Sequence, residues 1–272
     1  MGAGIAQSCA QSGYQVMASE INEELLNKGL GIIKKSLAKG VEKGKITSED
    51  EQAILSRVKG TTNVEDFSDR DLVVEAVIEN MDLKKKVFAD LDRICPAHAV
   101  LASNTSCLSV TEIAVATKRP EKVIGTHFFN PVPVMALLEL VTTVISSEET
   151  LNTAKSFGEA LGKTVIVAQD KPGFIVNRLL GAFMLEAVRM VEAGLATRED
   201  IDNGMKLGAN HPMGPLTLAD FVGLDTMYYI AESMYEELKD PKFAPPLLLK
   251  RMVTAGHLGR KTGKGFYDYT QG

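Results

Sequence analysis

The feature that most constrains the fold is a regular alternation of helix and strand patterns over the first half of the chain. Small and apolar residues from 2 to 11 indicate a helix, and apolar residues at helical spacing indicate a long helix from 22 to 43. A capping-box pattern from Thr47 to Asp50 predicts a third helix. Further helix patterns lie at 83–94 and 110–116, and strand patterns at 15–19, 72–76, 99–102 and 123–126. This order predicts an α/β fold, with a Rossmann-like, doubly wound, mostly parallel sheet between helices.

A different pattern begins after Lys171-Pro172-Gly173, where only helix patterns remain. They lie at residues 174–193, 198–207, 216–221, 225–238 and 246–254. We therefore predict an α/β domain over 1–169 and an all-helical domain over 170–272. The second domain carries more apolar side chains than five short helices need. We expect a subunit interface to cover the excess, in a homodimer or a higher homo-oligomer.

Composition argues against several classes of protein. A net charge of -5 argues against nucleic-acid binding, which needs a basic surface. Apolar runs fall short of the roughly 18 residues that span a membrane, so we expect no membrane partner. The four histidines are not clustered with other ligands, which predicts no metal site. The three cysteines form no CxxC pair, which fits a reducing compartment and a cytoplasmic protein.

His127 and Glu139 are the strongest candidates for chemistry. They lie in two β-rich segments joined by a short loop that contains prolines, so the two side chains can meet across the turn. A carboxylate beside an imidazole fixes its tautomer and makes it a better general base. Taken singly, His127 would be read as a histidine satisfied by a backbone carbonyl, and Glu139 as a solvated carboxylate on an edge strand. Polar residues just past other strand ends, including Glu79, Asn104 and Ser106, point to a ligand site there.

The first residues indicate a nucleotide site. Gly2 and Gly4 match the last part of a dinucleotide-binding fingerprint, whose helix receives a pyrophosphate at its amino end. Glu20 follows the strand at 15–19, where an acidic side chain binds the ribose hydroxyls of NAD and repels the 2'-phosphate of NADP. Small residues that open a helix are more often simple packing. With Glu20 in place we expect NAD, and NADP less readily.

Together with two further segments, these residues resemble a known family. The segments are Ser103-Asn104-Thr105-Ser106 and the run from Pro172 to Arg178, Pro-Gly-Phe-Ile-Val-Asn-Arg. With the run from Gly259 to Tyr269, they resemble the 3-hydroxyacyl-CoA dehydrogenase family, especially its short-chain bacterial 3-hydroxybutyryl-CoA dehydrogenases. The resemblance covers the whole chain. It implies an oxidoreductase that interconverts (S)-3-hydroxybutyryl-CoA and acetoacetyl-CoA in fatty acid or butyrate metabolism.

The resemblance also implies a role for each matching position. His127 would be the base that takes the proton of the 3-hydroxyl group, and Glu139 would hold and polarise it. Ser106 and Asn177 would hydrogen-bond the reacting oxygen and the acyl carbonyl. Three other positions would line the cofactor cleft: Glu79, Lys84 and Asn104. Of these, Lys84 would suit a diphosphate or ribose contact. Ser36 and Lys43 would contact the adenosine phosphate of coenzyme A. Without the resemblance, the lysine row that includes Lys43 would be read as a solvated helix face.

Two positions depart from the family pattern. Cys107 stands where many relatives have a second serine, a change that keeps the size of the side chain. In the family, the first strand and two glycines precede the position of Met1. We therefore expect that the strand ending at Glu20 lacks its main partner, and that the start codon was assigned to an internal methionine; otherwise NAD binding differs from that of the relatives.

Two alternative functions stay open at this point. The first is a broader 3-hydroxyacyl-CoA dehydrogenase that acts on longer acyl chains. The second is a non-catalytic relative that keeps the scaffold, which the incomplete nucleotide loop makes conceivable. The joint presence of His127, Glu139, Ser106 and Asn177 speaks against the second alternative.

Overall fold

The computed structural model describes residues 1–270 and divides into two compact units, Met1–Asp170 and the described residues from Lys171 onward. The domain boundary predicted between 169 and 170 lies one residue before this division. Within the described residues, no helix combines the length and the apolar character needed to cross a membrane.

The first unit contains two sheets rather than one. Its strands are β1 (Val16–Ser19), β2 (Val58–Thr61), β3 (Leu72–Glu75), β4 (Val100–Ser103), β5 (Val123–Phe128), β6 (Leu137–Thr142) and β7 (Thr164–Gln169). β1 pairs in parallel with β2, and the other five strands form a sheet in the order β3-β4-β5-β6-β7. All pairs in that sheet are parallel except β5 with β6. The mostly parallel α/β fold is therefore confirmed.

The first unit contains six α-helices within the described residues. They are α1 (Gly2–Gln11), α2 (Glu23–Glu42), α3 (Ser48–Ser56), α4 (Met81–Ile94), α5 (Val110–Ala114) and α6 (Glu148–Ala160). The predicted capping box at α3 is present: Thr47 Oγ accepts from the Asp50 amide at 3.1 Å, and Asp50 accepts from the Thr47 amide at 3.0 Å. These contacts satisfy amide donors that a helix start leaves without partners.

Helix α1 packs against both parts of the first unit. Ile5 and Cys9 belong to the apolar cluster that includes Val100 and Leu138 of the larger sheet, and Val16 of β1 packs against its edge. On its other side α1 contributes to a second cluster, with side chains from α2 and α3. Among the described residues, β1 pairs only with β2.

The structure corrects the predicted position of His127. The sequence pattern ended the fourth strand at Thr126, whereas β5 continues through Phe128, because its antiparallel pairing with β6 extends that far. The sequence assignment also omitted β2, β7 and α6. β6 lies between β5 and β7, so Glu139 is on an interior strand and not on an edge strand.

The second unit is all-helical, as predicted. Its helices are α7 (Val176–Glu192), α8 (Arg198–Asn203), α9 (Pro215–Val222), α10 (Leu224–Leu238) and α11 (Leu247–Thr254). They enclose an apolar core that includes Leu185, Val188 and Leu216. Several large apolar side chains remain exposed on this unit, among them Leu179, Leu207, Phe221 and Tyr229.

Two buried carboxylates fix the end of the second unit. Asp220 accepts hydrogen bonds from the amides of Phe266 (2.8 Å) and Tyr267 (2.9 Å). Asp202 accepts from the amides of Leu216 and Thr217 and from the phenol of Tyr267. Residue 265 must be a glycine for this approach, because a Cβ there would lie 2.0 Å from Asp220 Oδ1. These contacts tie the C-terminal segment to α8 and α9.

Candidate active site

His127 and Glu139 lie directly opposite each other in the antiparallel ladder of β5 and β6. Nδ1 of His127 is 2.7 Å from Oε2 of Glu139, and both residues are buried. A carboxylate only accepts hydrogen bonds, so the proton of a neutral imidazole must be on Nδ1, and Nε2 then carries a lone pair. The predicted meeting of these two side chains is confirmed. The pair has the arrangement of a general base and the group that orients it.

Asn104 connects the end of β4 to β5, the strand that carries His127. Its Oδ1 accepts from the amide of Phe128 at 2.9 Å, and the side chain is buried. This contact fixes the backbone next to His127. The structure thus gives Asn104 a local role beside the predicted cofactor contact, which stays a prediction.

Glu79 lies after β3 and reaches the loop that carries Ser106. Its Oε1 accepts from the hydroxyl of Thr105 at 2.5 Å and from the amides of Ser106 at 2.8 Å and Cys107 at 3.3 Å. Burial alone would raise the pKa of Glu79, but the Thr105 hydroxyl, the charge of Lys84 and the Ser106 amide together lower it. Glu79 therefore stays ionised near neutral pH.

Lys84 is completely buried on α4. Its Nζ lies 2.8 Å from Glu75 Oε1, 3.3 Å from Glu79 Oε2 and 3.5 Å from the carbonyl of Val77. An ammonium group has three donors, and these three oxygens surround it. This placement disfavours the diphosphate or ribose contact predicted for Lys84, since a ligand would have to displace one of these bonds.

Glu75 is the site residue that sequence reasoning did not select. Its side chain is buried, with Oε1 near Lys84 and Oε2 accepting from the hydroxyl of Ser103 at 2.8 Å. The sequence feature that could have pointed to Glu75 is a carboxylate at the end of an apolar strand, nine positions before a lysine on the next helix. Only the fold shows that Glu75 and Lys84 meet.

Two residues predicted to bind the nucleotide lie where such a ligand binds in this fold, at the amino end of a helix and after the carboxyl end of a strand. Gly2 is the first residue of α1, and Glu20 is exposed directly after β1. A helix amino terminus favours phosphate, and a carboxylate after this strand suits ribose hydroxyls. These features fit a nicotinamide dinucleotide, since Glu79 and Asn104 likewise follow the carboxyl ends of β3 and β4.

The remaining predicted residues lie on α2 and α7. Ser36 is half-buried on α2, and Lys43 is exposed at the end of the same helix. Their spacing of seven residues places them on one helix face. Asn177 is half-buried in the first turn of α7, in the second unit. Their roles toward substrate stay predictions.

Comparison with known proteins places the chain in a family. Residues 1–171 match the model of the 3-hydroxyacyl-CoA dehydrogenase NAD binding domain, and residues 173–269 match that of the 3-hydroxyacyl-CoA dehydrogenase C-terminal domain. The chain belongs to the 3-hydroxyacyl-CoA dehydrogenase family. It is therefore an oxidoreductase that uses a nicotinamide cofactor.

Relatives within this family align with the chain over nearly their whole length. The chain is 48% identical over 271 residues to the probable 3-hydroxybutyryl-CoA dehydrogenase of Bacillus subtilis, covering 100% of this chain and 94% of the relative. Among solved structures, that of (S)-3-hydroxybutyryl-CoA dehydrogenase PaaH1 from Ralstonia eutropha superimposes with a TM-score of 0.97 at 46% identity, covering 99% and 95% of the two chains. FadB2 of M. tuberculosis gives a TM-score of 0.96 at 48% identity, with the same coverage.

Proposed function

We propose that this enzyme interconverts (S)-3-hydroxybutyryl-CoA and acetoacetyl-CoA, with NAD as its cofactor. The observation that carries the proposal is the buried pair of His127 and Glu139, 2.7 Å apart, in a chain of this family. The short acyl chain and the stereochemistry are supported by the names of the relatives from B. subtilis and R. eutropha.

The chemistry of this chain is proton transfer at a prepared base. His127 accepts the proton of the 3-hydroxyl group on Nε2 and returns it in the reverse reaction. Glu139 keeps the other ring nitrogen protonated and stabilises the imidazolium that forms. Ser106 and Asn177 hydrogen-bond the acyl carbonyl and the reacting oxygen, and it is the reacting oxygen that becomes more negative as the proton leaves.

The cofactor is held by residues at the ends of the strands. The amino end of α1 at Gly2 receives the pyrophosphate, and Glu20 binds the ribose hydroxyls, which favours NAD over NADP. Glu79 and Asn104 line the next part of the cleft. When bound, the cofactor supplies hydride transfer at carbon 3 of the substrate.

Coenzyme A contacts α2 in this proposal. Ser36 offers a hydroxyl, and the ammonium of Lys43 pairs with an adenosine phosphate. Both residues lie on one helix face, and Lys43 is exposed to solvent. The exposed Leu179, Leu207 and Phe221 support a homodimer or higher homo-oligomer. A cytoplasmic location and a place in fatty acid or butyrate metabolism complete the proposal.

The test follows the absorbance of NADH as acetoacetyl-CoA is reduced, with NADPH in parallel. We expect turnover with acetoacetyl-CoA and NADH, and slower turnover with NADPH. No turnover with either cofactor would contradict the proposal and favour a non-catalytic scaffold.

A second candidate is a 3-hydroxyacyl-CoA dehydrogenase with a broader chain-length range. It is favoured by a relative from Sus scrofa, named hydroxyacyl-coenzyme A dehydrogenase, that is 43% identical over 276 residues, covering 99% of this chain and 88% of the relative. Comparison of kcat/KM for 3-ketoacyl-CoA substrates of four and eight carbons separates the two candidates. Equal values would favour the second.

A further inference from the structure

A buried ammonium group lies between two carboxylates beneath the loop that carries Ser106. Lys84 contacts Glu75 on one side and Glu79 on the other, and its side chain has 0% exposure. Burial of a charge is costly unless the charge is paired, and here the cation lies within ion-pair distance of both carboxylates. Removal of the cation would leave the two carboxylates facing each other, which raises the pKa of Glu79.

Glu79 uses its two oxygens for different tasks. Oε2 faces Lys84, while Oε1 accepts from the Ser106 and Cys107 amides. An ionised carboxylate is a stronger acceptor than a neutral one, and it presents no proton toward an amide. The ionisation of Glu79 therefore determines how firmly the backbone around Ser106 is held.

We propose that Lys84 is a positioning residue that holds Glu79 ionised beneath the loop, so that Glu79 fixes the Ser106 amide and places the Ser106 hydroxyl for the substrate. Glu75 holds Lys84 in place through the 2.8 Å contact and is itself held by Ser103. The catalytic part of this inference rests on the proposed function, whereas the structural link from Lys84 to the Ser106 backbone does not.

The surroundings of Glu79 define the expected pH effect. The titratable groups that face it are Lys84 from α4, Glu75 from β3 behind that lysine, and the thiol of Cys107, whose Sγ is 3.7 Å from Oε1. The charge of Lys84 is among the causes that keep the pKa of Glu79 low. Loss of this charge raises the pKa, so Glu79 becomes protonated at a higher pH.

The first test compares Lys84→Met with Lys85→Met, which removes a partly exposed ammonium of the same helix that pairs with Glu112. Hydrogen exchange at the Ser106 and Cys107 amides is measured by NMR. We expect faster exchange at both amides in K84M and wild-type exchange in K85M. Unchanged exchange in folded K84M would overturn the inference, whether or not the protein reduces acetoacetyl-CoA.

The second test asks whether Lys84 acts through Ser106. We expect K84M to lower kcat by about 10–100-fold, the size that small misplacements of a reacting group produce. In a Ser106→Ala background the same change should cost about twofold or less, because coupled residues are not additive. Equal losses in both backgrounds would show that Lys84 only supports the fold. Inactive wild type would instead contradict the proposed function and leave the exchange result to decide this inference.

The third test measures kcat as a function of pH. It includes a double variant in case K84M alone fails to fold. K84M should show a new loss of kcat on the acid side, as Glu79 takes up a proton. Glu75→Gln with K84M removes the cation together with the carboxylate that it neutralises, which avoids an excess of buried negative charge. We expect this double variant to lose activity at a lower pH than K84M but at a higher pH than wild type. A double variant with the wild-type profile and wild-type amide exchange would overturn the inference.

Discussion

The buried carboxylates of the two units have different kinds of partner. In the first unit, Glu139 faces the imidazole of His127, and the acids near the Ser106 loop share the ammonium of Lys84. In the second unit, Asp202 and Asp220 accept from backbone amides and from phenols. Burial, followed by the charge of Asp202, raises the pKa of Tyr267, so that phenol remains a donor.

The kind of partner indicates whether a buried carboxylate serves the reaction or the fold. A carboxylate that faces an imidazole can stabilise a proton arriving from a substrate, and one that shares a cation depends on that cation for its own charge. A carboxylate surrounded by amide donors has no proton to exchange with a substrate and instead fixes the path of the chain. Changes to Glu139 or Glu79 should therefore alter rates, and changes to Asp202 or Asp220 should alter stability.

The largest effect is expected from His127→Gln. Loss of a general base costs about 10²–10⁴-fold in rate, so kcat for acetoacetyl-CoA reduction should fall within or beyond that range. NAD affinity and the free energy of unfolding should stay near wild type, because Gly2 and Glu20 are separate from the base. Initial rates at 340 nm and NAD titration by calorimetry provide the measurements.

His98→Gln is the matched control for that change. His98 is exposed and its Nε2 lies 2.9 Å from Asp71. It should keep wild-type kcat. A comparable loss of NAD affinity in H127Q would contradict the assignment of His127 as the base.

Asp220→Ala should have the next largest effect, and on stability. It leaves the amides of Phe266 and Tyr267 and the phenol of Tyr269 without their acceptor. Unsatisfied buried donors cost about 1–3 kcal/mol each, so we expect a loss of about 3 kcal/mol in the free energy of unfolding. Urea unfolding measures this loss, and kcat per folded molecule should remain near wild type. A fall in kcat with unchanged stability would remove the distinction between the units.

Glu139→Gln should lower kcat less than the His127 change does. The amide can still hydrogen-bond the ring, but it cannot stabilise the imidazolium as a carboxylate does. Loss of a partner that orients a functional histidine typically costs about 10–100-fold in activity. Steady-state kinetics would show the change in kcat with little change in KM. A loss as large as that of H127Q would mean that the carboxylate does more than orient the base.

The smallest expected effect is an opposite pH dependence of stability in the two units. The pKa of Glu79 is lowered, so its contribution is present above its unfolded pKa and lost as pH falls through the folded value. Burial raises the pKa of Asp220, so its contribution is full at low pH and lost as pH rises through the folded value.

Urea unfolding between about pH 3 and pH 7 measures both contributions. As pH rises, the stability advantage of wild type over Glu79→Gln should increase, while its advantage over Asp220→Asn should decrease. Slopes of the same sign would contradict the assigned pKa directions.

Local signals made much of the fold predictable. Thr47 and Asp50 mark a helix start because their contacts span three residues, and the spacing of apolar positions marked α2 and α4. His127 and Glu139 could be paired because a short loop limits where the two segments can go. β7, at Thr164–Gln169, was missed, and its parallel pairing with β6 is what identifies it as a strand.

Long-range contacts could not be read from the chain. Nothing in the sequence indicates that the carboxylate of Asp220 accepts from amides 46 and 47 positions later, since any amide can serve as the donor. Lys84 was expected to face a ligand because its position matches one that lines the cofactor cleft in the family. Its burial depends on the packing of α4 against the end of β3, which only the folded chain defines.

Helix α1 is the connection between the two sheets of the first unit, through side-chain packing rather than a shared strand ladder. Glu20 follows one sheet, while Glu79 and Asn104 follow the other. Apolar contacts are less directional than hydrogen bonds, so a substitution that alters the packing of α1 would shift Glu20 relative to Glu79 and Asn104 more readily than a substitution within either strand ladder would.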